Sequence, residues 1–263
     1  MTQFGKVVIN VEVKEALDVA LLSGEILLTS GSEIYRVEDT IDRICNAYGI
    51  KSECFVTPTG IFISGWSKDN PKESVSLVKR IKSRTINLHS IEIINTFSRS
   101  LQTKKVPYDE AMELLRGMEN APYFPFYRRL IASGVTSFAY AMLFGGTAVN
   151  GIVAGIISML IYASRDKMSR VILSPFFLDF VWSFIAGLMA IFANRFIIPI
   201  DINSVIVGSI IILFPGLAMT NGIRDALYGD ILSSQARLTE ALFTVTAIGV
   251  GVGIVLLLMK YWM

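Results

Sequence analysis

The chain has 263 residues, is 52% hydrophobic and carries a formal net charge of only +2. A mean hydropathy of +0.55 is too high for an ordinary soluble protein, and so small a net charge gives no argument for nucleic acid as a partner. The two cysteines, Cys45 and Cys54, make no framework of paired spacings and suit a reducing compartment. The single histidine, His89, argues against a His-based metal centre or catalytic triad.

Charge is concentrated in residues 1–129, and the long charge-free runs all follow Arg129. The expectation is an α-helical membrane protein, with a cytoplasmic α+β domain over 1–127 and five transmembrane helices over 128–263. The opening stretch, MTQFGKVVINVEVKE, lacks a long apolar core, so no signal peptide is expected.

From Glu12 to Gly31, the apolar or small residues Val13, Ala16, Leu17, Ala20, Leu21, Gly24 and Leu28 fall on one helical face. Ser30 and Glu33 have the spacing of a capping box that would start a second helix. Its buried stripe would be Ile34, Val37, Ile41, Ile44 and Tyr48, with Gly49 as the stop. Ser52–Thr57 and Ile61–Trp66, joined by Pro58-Thr59-Gly60, read as a hairpin, and Ser74–Arg84 as a further strand. Helices are predicted over Leu88–Leu101 and from Pro107 onward.

The stretch from Asn120 to Arg129 is the junction. Pro122 and Pro125 end the helix, Tyr123, Phe124, Phe126 and Tyr127 suit the headgroup level, and Arg128 and Arg129 anchor a cytoplasmic face. Spans are predicted near 130–147, 149–164, 171–194, 203–222 and 239–259. The cytoplasmic flanks would hold Arg128, Arg129, Arg165, Lys167, Arg170, Arg224 and Arg237. Only Arg195 and Lys260 would lie outside, with Met263.

The most informative stretch is FPGLAMTNGIRDALYGD, Phe214–Asp230. Pro215 removes a backbone donor and Gly216 weakens the helix at the next position. Thr220, Asn221, Arg224, Asp225 and Asp230 follow. Irregular backbone at membrane depth needs a protein or water-filled lining, so this is read as the edge of a polar path, with Thr220, Asn221, Arg224 and Asp225 as substrate-binding candidates. An ordinary proline kink followed by a cytoplasmic loop is the alternative. On a continuing helix Arg224 and Asp225 point about 100° apart. That leaves Arg224 to an anionic substrate group, or to Asp179 when the site is empty. Arg237, further along, is expected to matter little.

Asp179, read at the centre of the third span, is a costly residue there. It is either a proton- or substrate-binding group or a structural partner for an arginine or the backbone. Glu33, Arg36, Glu38 and Asp39 form either a cytoplasmic ligand patch or a solvated helix face with Asp39 and Arg43 paired; spacing favours the latter. Lys79, Arg80, Lys82 and Arg84 suit anionic lipid headgroups better than nucleic acid. Gly151/Gly155 and Gly249/Gly253 have the spacing of tight helix packing.

Three segments carry a family resemblance: GSEIYRVEDTIDRICNAYG, VTPTGIFIS and FPGLAMTNGIRDALYGDILSSQARLTEAL. Through them the chain resembles the N-terminal half of the threonine/serine exporter family. The resemblance implies an exporter subunit in the bacterial cytoplasmic (inner) membrane, moving threonine, serine or dicarboxylates such as succinate. It implies the split form of the family, in which this half works with a small membrane partner of four or five spans; a homo-oligomer is the other arrangement. It implies no cofactor and no catalytic residues. A membrane-tethered hydrolase acting through the soluble domain is the competing function.

Overall fold

The computed structural model describes residues 12–67, 74–82, 84–119, 124–168 and 174–262. The first eleven residues, Asn120, Pro122, Tyr123, Arg170 and Met263, which carry some of the sequence expectations above, lie outside these ranges. The chain is mostly helical and divides into two compact units. One comprises 1–123 with 220–238, the other 124–219 with 239–263. The sequence boundary at 127/128 put 220–238 with the membrane helices; by contacts the segment belongs to the first unit.

In the first unit, α1 (Val13–Thr29) and α2 (Ile34–Tyr48) pack on a three-stranded antiparallel sheet. Its strands are β1 (Ile50–Thr57), β2 (Gly60–Ser67) and β3 (Ser74–Arg80). α3 (Leu88–Thr103) and α4 (Tyr108–Glu119) pack against α1, and α3 also against α2. The predicted stripe of α2 is buried throughout, and Gly49 ends the helix in the left-handed region at φ +83°, where a Cβ would be strained. The close approaches are made by glycines. A Cβ on Gly24 would stand 2.8 Å from Ile41 Cδ1, and one on Gly65 would stand 2.7 Å from Leu17 Cδ2. Each fully buried Leu or Ile in this core contributes about 1.5–3 kcal/mol.

The strands alternate as a half-covered sheet should. Val56 and Ile61 face the helices, whereas Phe55, Phe62 and Val78, aligned in register across the three strands, face outward. The predicted capping box does not form. Glu33 is the N-cap of α2, with no side-chain cap of its own.

In the second unit, α5 (Phe126–Leu143) and α6 (Ala148–Met168) form a hairpin turned at Gly145, φ +87°. Gly151 and Gly155 serve this contact as predicted: a Cβ on Gly155 would stand 3.0 Å from the Gly134 carbonyl. α7 (Pro175–Phe196) and α8 (Ile202–Ile210) follow, then a 3₁₀ turn, Ile211–Leu213. Asp201 accepts the Asn203 and Ser204 amides as the cap of α8. Phe214 is extended, and α9 (Gly216–Leu227) starts after Pro215, so the predicted break is present. α10 (Ile231–Trp262) meets α7 through Gly251, 2.6 Å from the Phe180 carbonyl for a built Cβ, while Gly249 and Gly253 touch nothing within 4 Å. The Gly249/Gly253 pair therefore does not pack as expected.

Among the described residues, α6, α7 and Ile231–Lys260 of α10 are long and apolar enough to cross a membrane. A fourth span is reached if Ile202–Leu213 and Gly216–Leu227, bent by 62°, count as one. α5 falls short because Arg128 and Arg129 occupy its first turn. The charge-free remainder, Leu130–Leu143, is about 21 Å long at helical rise, against roughly 30 Å of hydrocarbon.

Candidate functional site

Within the first unit, the polar residues after the break close on a single turn, Ser30–Glu33, which joins α1 to α2. Gly31 holds that turn open at φ +88°. Asn221 Nδ2 donates to the Gly31 carbonyl at 2.9 Å, and Arg237 Nη2 donates to the Ser32 carbonyl at 2.8 Å. Arg224 Nη1 donates to Glu33 Oε1, while Arg36 Nε lies 3.2 Å from the other Glu33 oxygen. The Ile34 amide donates to Asp225 Oδ1 at 3.3 Å. Asp225 Oδ2 in turn lies 3.0 Å from Arg237 Nε. Beside this set, the Tyr35 and Tyr228 rings stack with centroids 4.0 Å apart.

Local sequence explains how these side chains arrive together. Asn221, Arg224, Asp225 and Tyr228 follow one another at three- and four-residue spacing, one face of α9 and its exit. The turn Tyr228-Gly229-Asp230 reverses the chain with Gly229 at φ +88°, and Asp230 then caps α10 through the Ser233 amide at 3.2 Å. Gly222 lets the two helices meet closely, since a Cβ there would stand 2.9 Å from Leu238 Cγ. That approach brings Arg237 onto Asp225.

The cluster places two carboxylates, Glu33 and Asp225, at the N-terminus of α2, where the helix dipole favours negative charge. Three guanidinium groups surround them. Arg237 is only 4% exposed and Asp225 1%, so their ion pair is a buried one, whose rupture leaves an uncompensated charge. The expectation that Arg237 matters little is therefore corrected. Arg224 is different: its side chain is 42% exposed. Thr220, at the start of the segment, is exposed.

The cytoplasmic patch read from the sequence does not hold together as one site. Glu33 and Arg36 belong to the cluster above. Asp39 pairs with Arg43, as helical spacing implied. Glu38 is half-buried and accepts the Val56 amide at 3.1 Å. Burial pushes its carboxyl above the ordinary range, and the neighbouring carboxylates Asp230 and Asp225 push the same way, against the Val56 hydrogen bond. Burial also raises the Cys45 and Cys54 thiols, to about 11 and about 12, so neither is a nucleophile at neutral pH. Among the described residues no group of three or more His, Cys, Asp or Glu side chains could hold a metal ion.

In the second unit, Asp179 is buried and lies 3.0 Å from Arg165 Nη2, on the last turn of α6. Asp179 is the fifth residue of α7, not the centre of a span as its sequence position implied, because the helix starts only at Pro175. Within its own unit Asp179 pairs with Arg165, and Arg224 within its own pairs with Glu33. Asn150 Nδ2 donates to Ser204 Oγ at 3.2 Å, a second polar contact among apolar helices.

The sequence reading missed Arg237, Arg165 and the backbone of the Ser30–Glu33 turn. One signal for Arg237 was present. On α10 the buried positions 233, 234, 237, 241, 244, 248, 251 and 255 form one stripe, and Arg237 is in phase with it.

Three long apolar helices and a bent helix pair are consistent with a helical membrane protein. Comparison with known proteins is more specific. The family model described as "Putative threonine/serine exporter" matches residues 18–259, and the chain belongs to that family. Two curated relatives are a "Probable threonine/serine exporter" of Mycobacterium tuberculosis (strain ATCC 25618 / H37Rv) and a "Threonine/serine exporter" of Corynebacterium glutamicum. The first is 27% identical over 248 residues, covering 92% of this chain and 46% of that protein. The second is 25% identical over 249 residues, covering 92% and 51%. This chain thus spans about half the length of the curated relatives it matches. No solved structure matches it.

Proposed function

We propose that this chain is one half of a secondary exporter of small amino acids, threonine and serine first, with dicarboxylates such as succinate as the second substrate class. The observation that carries the proposal is the family match across residues 18–259. The proposal places the chain in the bacterial cytoplasmic membrane with its sheet-containing unit in the cytoplasm. Five spans are counted by taking α8 with the start of α9, residues 216–219, as one broken span and letting α5 cross with its arginines at the headgroups. A further membrane half, supplied by a small protein of four or five spans or by a second copy, completes the pathway. Inverted pairs of such halves are a recurring route to alternating access.

In this reading Arg224 takes the substrate carboxylate. It is the most exposed cation of the cluster, and its planar group carries five donors, more than the contact to Glu33 uses. Thr220, exposed, would meet the substrate's hydroxyl or ammonium group, while the buried Asn221 and Asp225 would hold the turn beside Arg224, and Asp179 would carry the coupling proton in exchange with Arg165. The test is efflux of labelled threonine, serine and succinate from cells with and without the chain and a candidate partner. Faster efflux of an amino acid that depends on the chain supports the proposal. Unchanged efflux of all three, with the chain present in the membrane, refutes it.

A further inference from the structure

Among the described residues from Val78 to Leu88, six basic or large apolar residues are exposed: Val78, Arg80, Lys82, Arg84, Ile86 and Leu88. The three large apolar members are 66%, 61% and 66% exposed, more than an isolated soluble surface needs. The strip is held by the fold. Ile81 is buried and its amide donates to the Thr59 carbonyl at 2.9 Å; the Thr85 and Asn87 amides donate to Thr29 and Ser30 carbonyls at 2.7 and 3.1 Å. Val78 continues the row of Phe62 and Phe55 across the sheet, so an exposed aromatic pair, centroids 6.3 Å apart, adjoins the strip. No acidic residue occurs from Ser74 to Ile91, and Lys79 is drawn off by Glu25 at 2.8 Å on the covered face.

We propose that this strip and the Phe55–Phe62 pair form a docking face for the surface of an anionic lipid bilayer. Basic side chains would meet headgroup phosphates while Val78, Ile86, Leu88 and the two rings enter the interfacial layer, the amphipathic arrangement such binding requires. A second copy fits poorly, because a two-fold contact would set the same cations against one another. This inference does not depend on what the chain transports.

The test is hydrogen exchange of the full chain in nanodiscs of phosphatidylcholine alone and of phosphatidylcholine with phosphatidylglycerol. Each basic residue near an anionic surface is worth about fivefold in partitioning, so amides of 80–88 should exchange on the order of tenfold more slowly in the anionic discs. Arg80→Ser with Lys82→Ser should remove most of that difference, with exchange in α1 and α2 unchanged. Ile86→Ser, which keeps the charges, should also reduce it and serves if the double variant misfolds. Equal exchange in both lipids overturns the proposal. So does protection by an added single-stranded oligonucleotide without protection by anionic lipid, which would make the strip a nucleic-acid surface.

Discussion

Asp225 accepts the amide of Ile34 at 3.3 Å and thereby caps α2 from 191 residues away along the chain. Glu33, the N-cap residue, makes no side-chain cap and turns its carboxylate to Arg224 and Arg36. A helix that takes its cap from a distant segment is formed correctly only when that segment is in place. Arg237 holds the capping carboxylate from the other side.

The first prediction concerns this pair. Arg237→Gln should destabilise the protein by about 3–5 kcal/mol, because it leaves Asp225 buried without its cation. Arg43→Gln, which breaks the more exposed pair with Asp39, should cost well under about 1 kcal/mol. Thermal unfolding of both variants in the same detergent measures the contrast, and equal effects would show that the Asp225 pair is not desolvated.

The second separates binding from folding at Arg224. Arg224→Gln should abolish export while the protein reaches the membrane at normal levels, and Asp179→Asn should do the same. If Arg224 meets the substrate carboxylate, Arg224→Lys should keep maximal rate and raise KM, since a point cation replaces a bidentate fork. Normal transport by Arg224→Gln would leave the stretch a structural kink.

Glu38 gives a pH prediction. Its carboxyl is raised in the folded state, first by burial. Below the ordinary carboxyl range both states are protonated and there is no penalty. As pH rises through that range the unfolded chain ionises first, so stability is lost until the folded value is passed. Glu38→Gln, which can still accept the Val56 amide, should therefore be more stable than the parent near neutrality, and the gain should vanish in acid. Unfolding midpoints across pH measure this; a variant less stable at neutral pH would contradict it.

Topology is the fourth. In the five-span arrangement single cysteines at Asn194 and Asp201 should react with an impermeant reagent from outside the cell, and one at Asp166 should not. Labelling at Asp166 from outside would reverse or break the arrangement.

Much of the fold was legible in the sequence because its causes are local. Apolar spacing set the faces of α1 and α2, Gly49 ended α2, and Pro58-Thr59 turned the hairpin. Pro215-Gly216 broke the helix where expected, since a missing donor acts on its own turn. The polar composition of 220–225 was equally visible. Its destination was not. Ser30 and Glu33 had the spacing of a capping box, but hydrogen bonds from outside the segment took its place. Asp179 looked central until the start of α7 at Pro175 put it in the second turn. Above all, Arg237 looked like a loop cation. Only the tertiary structure decided that it is buried, because a charge is accepted in the interior when a partner far away in sequence meets it, and periodicity within one segment cannot show where that partner lies.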